Sequence, residues 1–341
     1  MRRVALVLAA CLSCAVAART SGETQSCLFD ALTCVRVASV LATVARVQPD
    51  SPERVRKRLV AVSNSFVGRP FAWNPVGEAN GGLDPDPLLT LSSFDCGTFV
   101  ETMLALARAT SATEVGDQIV VLRYSGREPR FANRNHFAGA EWLPEAVRNG
   151  ALRPITREVA GPLRVETVSA TADRERWRTS LPDQPAYRDL FLGEHRQVAW
   201  EELRSISFEP SEVTAVIEYL PFSAFGPEDG TLGPEGATRT VFDRIPSGSV
   251  LMVVRPASPY LVKAGVNELV AHLGLAVRKR NALLIRAASP TPKNAVYERP
   301  VTDYIQWSQK ADGPKGLIVL EPLPSSAATR TARTRSRGAG R

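Results

Sequence analysis

The stretch Phe94-Asp95-Cys96-Gly97-Thr98-Phe99-Val100-Glu101-Thr102-Met103-Leu104-Ala105-Leu106-Ala107 joins a loop to a buried helix with one cysteine in its first turn. Val100, Met103 and Ala107 follow Cys96 at helical spacing, and Phe99 and Leu106 widen the same apolar stripe. Asp95 is placed as the N-cap, its carboxylate accepting from the free amides of the first turn. The sulfur then lies beside the positive end of the helix dipole, which favours thiolate over thiol. A thiolate on a rigid helix end, with a histidine brought in from elsewhere, is the arrangement for cysteine nucleophilic catalysis. A small buried cysteine packing in a core has the same local pattern, and this stretch alone does not separate the two.

The chain has three histidines, His136, His195 and His272. His195, between Glu194 and Arg196, reads as a solvated surface residue. His136 lies in Phe131-Ala132-Asn133-Arg134-Asn135-His136-Phe137, shortly before Glu141-Trp142-Leu143-Pro144. That cluster could line a polar groove or form a hydrogen-bonded knot that pins its loop. His272 opens Ala271-His272-Leu273-Gly274-Leu275-Ala276-Val277, a predicted strand; Arg278-Lys279-Arg280-Asn281 makes a hairpin turn and Ala282 to Ala288 returns.

The elements that must position these residues follow from periodicity and breakers. Glu23 to Val47 and Glu53 to Val67 read as helices, the second with Val55, Leu59, Val60, Val62 and Phe66 inward, separated by Gln48-Pro49-Asp50-Ser51-Pro52. An irregular Pro/Gly/Asn stretch from Gly68 through Pro87 leads to the cysteine helix and is a candidate site wall. Gln118 to Tyr124 has the β-branched density of a strand or short helix. Residues 161–243 are less legible, with a helix about Ala199 to Leu203, a strand from Val213 to Leu220 and a loop from Gly226 to Gly236. Ser249 to Arg255 and Gly316 to Glu321 are predicted strands, and Val301 to Gln309 a helix.

The 341 residues, 44% hydrophobic, suffice for a sizeable core. The formal charge of +7 is terminal: Arg2 and Arg3 in the leader and Arg330, Arg333, Arg335, Arg337 and Arg341 in the tail, taken from 42 basic residues, leave 35 against 35 acidic ones. A neutral body argues against a nucleic-acid binder. Arg2 and Arg3, the apolar run from Val4 to Ala15, and Ala15-Val16-Ala17 read as a signal peptide with its cleavage site, too short to span a membrane. Leu8-Ala9-Ala10-Cys11 also has the form of a lipobox, which would make Cys11 a lipid anchor instead. An exported chain is periplasmic or secreted, and there Cys27 and Cys34 could close a disulfide, leaving Cys96 as the odd thiol. No CxxC pair remains after cleavage, so no metal or other cofactor is expected. The expected organisation is a signal peptide (1–17), a helical extension (18–52), one α+β domain (53–323) with an insertion at about 161–243, and a basic tail (324–341).

A cysteine at a helix start, followed by a histidine opening a hairpin with His272-Leu273-Gly274-Leu275, resembles the NlpC/P60 papain-like cell-wall hydrolases. Within them the chain is most similar to the N-acetylmuramoyl-L-alanine amidase-like family (DUF1460). The resemblance rests on Gly68-Arg69-Pro70-Phe71, Asn74-Pro75-Val76-Gly77-Glu78, the Cys96 stretch, Arg123-Tyr124, Asn133 to Phe137 with Trp142, Glu218-Tyr219-Leu220-Pro221, and Ile245-Pro246-Ser247-Gly248-Ser249-Val250. It implies a papain-like α+β fold in which the nucleophile helix packs on a small antiparallel sheet. It also implies a peptidoglycan partner, amide hydrolysis by Cys96 and His272, and a groove involving Glu78, Arg134, Asn135, His136 and Trp142.

The chain departs from the family at two positions. Where relatives carry a histidine in an Arg-His-Ala-Ser-like run, this sequence has Arg286-Ala287-Ala288-Ser289. Arg286 only donates and cannot orient an imidazolium, which leaves Ser289 as the candidate third residue. Phe71 stands where relatives often carry tyrosine. A catalytically degenerate cell-wall binder and a Cys–His acyltransferase are the competing readings.

Overall fold

The computed structural model describes residues 28–79, 83–181, 196–225, 241–280, 282–309 and 313–325. Its first half is helical: α1 (Ala31–Val44), α2 (Pro52–Asn64), α3 (Cys96–Arg108) and α4 (Ala112–Arg123). Each begins where a short polar side chain caps the first turn: Asp30 on the Thr33 amide, Ser51 on Arg54, Asp95 on Thr98 and Ser111 on Glu114. The Asp30 cap explains why α1 starts at Ala31 rather than near Glu23. Gln118 to Tyr124 is the end of α4, not a strand, because Val115, Ile119 and Leu122 repeat at helical spacing and are all buried.

Helix α3 lies inside the molecule, with eleven of its thirteen residues buried. Its apolar face meets the sheet, and two of its charged residues are held by internal partners. Glu101 pairs with Arg123 at 2.8 Å, and Arg108 donates to the Leu323 carbonyl at 2.8 Å. The far end is held by Arg58 of α2, only 2% exposed, whose guanidinium donates to the carbonyls of Ala107 (2.7 Å), Leu106 (3.2 Å) and Ala109, and to Val44 and Val47 at the end of α1. Arg58 takes an inward position while Val60 is only half-buried, because the last-turn carbonyls of α3 need donors that water cannot supply.

Nine strands make one antiparallel sheet: β1 (Leu152–Pro154), β2 (Glu166–Asp173), β3 (Glu212–Pro221), β4 (Val250–Val254), β5 (Val266–Asn267), β6 (Val270–Lys279), β7 (Ala282–Ser289), β8 (Ala295–Pro300) and β9 (Gly316–Pro322). Their order is β5-β2-β3-β9-β4-β6-β7-β8, with β1 also on β9. The expected small sheet is therefore a large one. The reason lies in β9, which joins β4 to β3 through Leu220↔Leu317 and Pro221↔Gly316. Residues 161–243, in their described part, extend the sheet through β2 and β3 and contribute Trp177, Leu203 and Phe208 to the main core.

Both faces of the sheet are covered at its central strands. Val250, Met252 and Val254 of β4 join the core shared with α1–α4, and Leu251 and Val253 join a second core with Val301, Tyr304 and Ile305. A strand buried on both faces reads as an unbroken apolar run, as Val250 to Val254 does. Gly274 is required where β6 meets β7, since a Cβ there would stand 2.5 Å from Ile285.

Cys34 is disulfide-bonded, and Cys27, its expected partner, lies outside the described residues. So do the leader with Cys11, His195, the Gly226–Gly236 loop and the tail beyond 325. Among the described residues no helix is long and apolar enough to cross a membrane.

Replacing Arg58 with Met leaves the last carbonyls of α3 unsatisfied at about 1 kcal/mol or more each. Arg58→Met is therefore expected to cost about 3 kcal/mol of stability, read as a lowered urea midpoint with little change in slope. An unmoved midpoint would show that the carbonyls find other donors.

Candidate active site

Asp95 builds the start of α3. Its Oδ1 accepts from the Thr98 amide at 2.7 Å and the Thr98 hydroxyl at 2.9 Å, while Thr98 Oγ1 accepts from the Asp95 amide at 3.0 Å, a closed capping box. Its other oxygen accepts from the Asn74 amide at 3.2 Å. The loop before Asn74 is laced to the same segment, Phe94 donating to the Pro70 carbonyl and Ala72 to the Phe94 carbonyl. Phe71 and Trp73, in edge-to-face contact at 4.9 Å, are thereby fixed beside the cysteine, and Trp73 is 64% exposed.

Cys96 is a free, half-buried thiol. The backbone N–H groups of Leu273, the residue after His272, and of Gly97 and Cys96 itself act on its sulfur in favour of the thiolate. These donors do not make it a thiolate. Burial, and then the charge of Asp95, push the thiol up to about 12. The expected activation by the helix dipole is opposed first by burial of the sulfur and then by the charge of the capping Asp95.

His272 lies half-buried near the start of β6. Its Nε2 is 3.0 Å from the hydroxyl of Tyr304, and the two rings stack with centroids 5.2 Å apart and planes at 16°. Burial, reinforced by the Arg299 charge, lowers the imidazole to about 4, so it is neutral at pH 7. The Tyr304 hydroxyl is raised by burial and then by the neighbouring Tyr297. The start of β6 thus links the two sides, the Leu273 amide acting on the Cys96 sulfur and the His272 ring bonded to Tyr304.

The candidate third residue is engaged elsewhere. Continuing the register of Leu275↔Arg286 would set Ser289 opposite His272, but the paired ladder stops at Leu275. Ser289 donates its hydroxyl to the Thr291 carbonyl at 2.8 Å. Arg286 is buried against Glu298, Ser63 and the Val60 carbonyl. Tyr304 escaped the sequence reading because, one turn after Val301 and next to Ile305, it has the position of an ordinary core aromatic. It sits in the same apolar cluster as Ala287, on the sheet face where a histidine at 287 would project.

The expected groove residues are not gathered around Cys96. His136 hydrogen-bonds the Phe131 carbonyl at 2.9 Å, lies 4.5 Å from the rings of both Phe131 and Trp177, and is held well below the usual imidazole range by burial. Glu141 accepts from the His136 and Phe137 amides and pairs with Arg174 at 2.9 Å. Trp142 is buried in the main core. Asn135 bonds back to the Arg123 and Leu122 carbonyls. These four elements form the loop-pinning knot rather than a groove.

Glu78 and Arg134 belong to a second buried cluster. Arg134 lies 3.3 Å from Asp84 and 3.7 Å from Glu78, whose Oε2 accepts from the Asp84 amide while Oε1 has no hydrogen bond. Burial raises the Glu78 carboxyl to about 7. Among the described residues no group of His, Cys, Asp and Glu is arranged to hold a metal ion.

Known structures share this fold. The fold is similar to that of a Legionella pneumophila protein of family DUF1460, with a TM-score of 0.71 and 21% identity over 86% of this chain and 95% of that one. It is also similar to an N-acetylmuramoyl-L-alanine amidase from Bacteroides uniformis, with a TM-score of 0.54 and 21% identity over 79% of this chain and 99% of that one. Likeness at this identity speaks for the fold. No curated protein matches the sequence. The family description AmiA-like, N-acetylmuramoyl-L-alanine amidase-like, matches residues 61–312, a span that holds Cys96, His272 and Tyr304, and the chain belongs to that family.

Proposed function

We propose that the protein is an exported cysteine amidohydrolase of the NlpC/P60 papain-like type, cutting an amide of the peptidoglycan stem at or near the lactyl–L-alanine bond. The observation that carries this reading is the Leu273 amide acting on the sulfur of Cys96 at a capped helix start, with the adjacent His272 held by Tyr304.

With Nε2–H donated to the Tyr304 oxygen, Nδ1 of His272 is left to accept the thiol proton. Proton transfer and attack run together, because both partners rest neutral. As the C–S bond forms, the carbonyl electron pair moves onto oxygen, where the amides at the start of α3 can donate to it. Collapse breaks the C–N bond, and the imidazolium gives its proton to the leaving amine. Water, losing a proton to His272, then forms the new C–O bond and releases the sulfur, which recovers the proton. Tyr304 is the positioning residue, taking the role that Ser289 was expected to fill. The raised thiol and Ala287 are the features that favour the alternative, a cell-wall binder that no longer cleaves.

Mass spectrometry of purified muropeptides incubated with wild type and Cys96→Ala separates the two. Fragments from wild type alone are expected, their masses naming the cut amide; intact muropeptides that still bind the protein would leave the binder.

Resting protonation is read by alkylation. A thiol raised to about 12 should react with iodoacetamide about tenfold faster per pH unit up to at least pH 9. A plateau by pH 7 would reveal a preformed thiolate.

Tyr304→Phe should lower kcat/KM on the order of 10²-fold, since the imidazole loses its fixed orientation. The acid limb of the pH profile, expected near 4 in wild type because His272 must be neutral to accept a proton, should move with it. A uniform loss with an unmoved limb would assign Tyr304 a packing role.

A further inference from the structure

The stack of rings on His272 continues past Tyr304. Trp307 meets Tyr304 edge to face with centroids 6.4 Å apart, and the guanidinium of Arg255 lies over the Trp307 indole with Cζ 3.7 Å from the ring centre. Trp307 is 42% exposed and Arg255 half-buried. The backbone explains the juxtaposition. Val253 of β4 is paired with His272 of β6, and Arg255, two residues on, donates its amide to the Leu269 carbonyl at 2.8 Å. Guanidinium, indole, phenol and imidazole therefore form one continuous row that ends at the proposed base.

Two cations flank this row, and they differ in their partners. Arg299, 5.2 Å from the Tyr304 ring centre, is paired with Asp303 at 3.2 Å. Arg255 makes no ion pair among the described residues, and its Nε is buried without a hydrogen-bond partner. Its charge is disfavoured by burial with no carboxylate opposing that effect. Desolvating a cation without an anion is costly, and such a cost at the edge of a reactive centre is relieved by a bound ligand. Stacking on the indole fixes the guanidinium plane and leaves its edge for bidentate donation, the geometry that matches a carboxylate.

We infer that Arg255, laid on Trp307, is a subsite for a free carboxylate of the stem peptide near the cut amide. The inference rests on the amidase reading for its choice of ligand. The stem offers such a group in the α-carboxylate of its second residue, which is linked onward through its side-chain carboxyl. Trp307 contributes the platform, and Arg255 supplies discrimination between acid and amide.

The test uses the full chain carrying Cys96→Ala, so that ligand is not turned over, and two probes: N-acetylmuramoyl-L-alanyl-D-glutamate and its α-amide. Calorimetry should give at least tenfold tighter binding of the acid. Arg255→Gln added to Cys96→Ala should remove that preference by weakening the acid alone, with unchanged affinity for the amide reporting an intact fold. Equal weakening of both probes, no preference in the parent, or no binding of either would overturn the subsite. Cleavage of the acid by the wild-type protein is read separately: discrimination without cleavage sinks the amidase reading and leaves the subsite, whereas cleavage without discrimination does the reverse.

Discussion

The Asp95 carboxylate is the constraint on which the rest of the site depends. One of its oxygens closes the capping box that starts α3, and the other holds Asn74 and so the loop carrying Phe71 and Trp73. A single side chain thereby sets Cys96 and the Phe71–Trp73 loop in one register. The same negative charge lies next to the sulfur and, with burial, keeps it protonated. Ordering the helix start and activating the thiol are opposed demands on this residue, and ordering prevails.

That ordering is sustained from the opposite end of α3. A helix buried on nearly every side cannot leave its last carbonyls to water, and Arg58 supplies donors to three of them while tying in α1. Arg123 and Glu101 do similar work midway, with Arg123 also reaching the Leu88 carbonyl in the loop before the cysteine. The sheet completes the support. Strands β4, β6 and β9 are covered on both faces, so the peptide that offers the Leu273 amide to the sulfur sits in a layer with little room to shift.

Across the sheet, the Val301–Gln309 helix does for His272 what Asp95 does for Cys96. Its Tyr304 supplies an oxygen to the imidazole from the apolar layer in which position 287 carries only a methyl group, and the next turn presents Trp307 to Arg255. Cys96 and His272 are therefore gripped from two layers, the proposed nucleophile from the helical face and the proposed base from the other.

Signals local to the chain were legible in advance. Asp95 before an apolar helix, the unbroken run of β4, the His272 hairpin and the Val301–Gln309 helix each declare themselves within a few residues, through caps and periodicity, and the motifs around Cys96 and His272 pointed to the amidase-like family. Contacts between distant segments were not legible. Tyr304 is 32 residues from His272, and its spacing is that of any core aromatic. His136 and Trp142 looked like groove residues until Trp177 and Phe208, from the extended part of the sheet, closed over their loop. The protonation of Cys96 depended on burial, which no local pattern expresses. Periodicity and capping act over one or two turns, so the sequence alone determined most of the elements and singled out Cys96 and His272 as candidates. Desolvation and cross-sheet hydrogen bonds act through space, so only the tertiary structure decided which oxygen meets the imidazole, where the proton rests and which arginine is left without an anion.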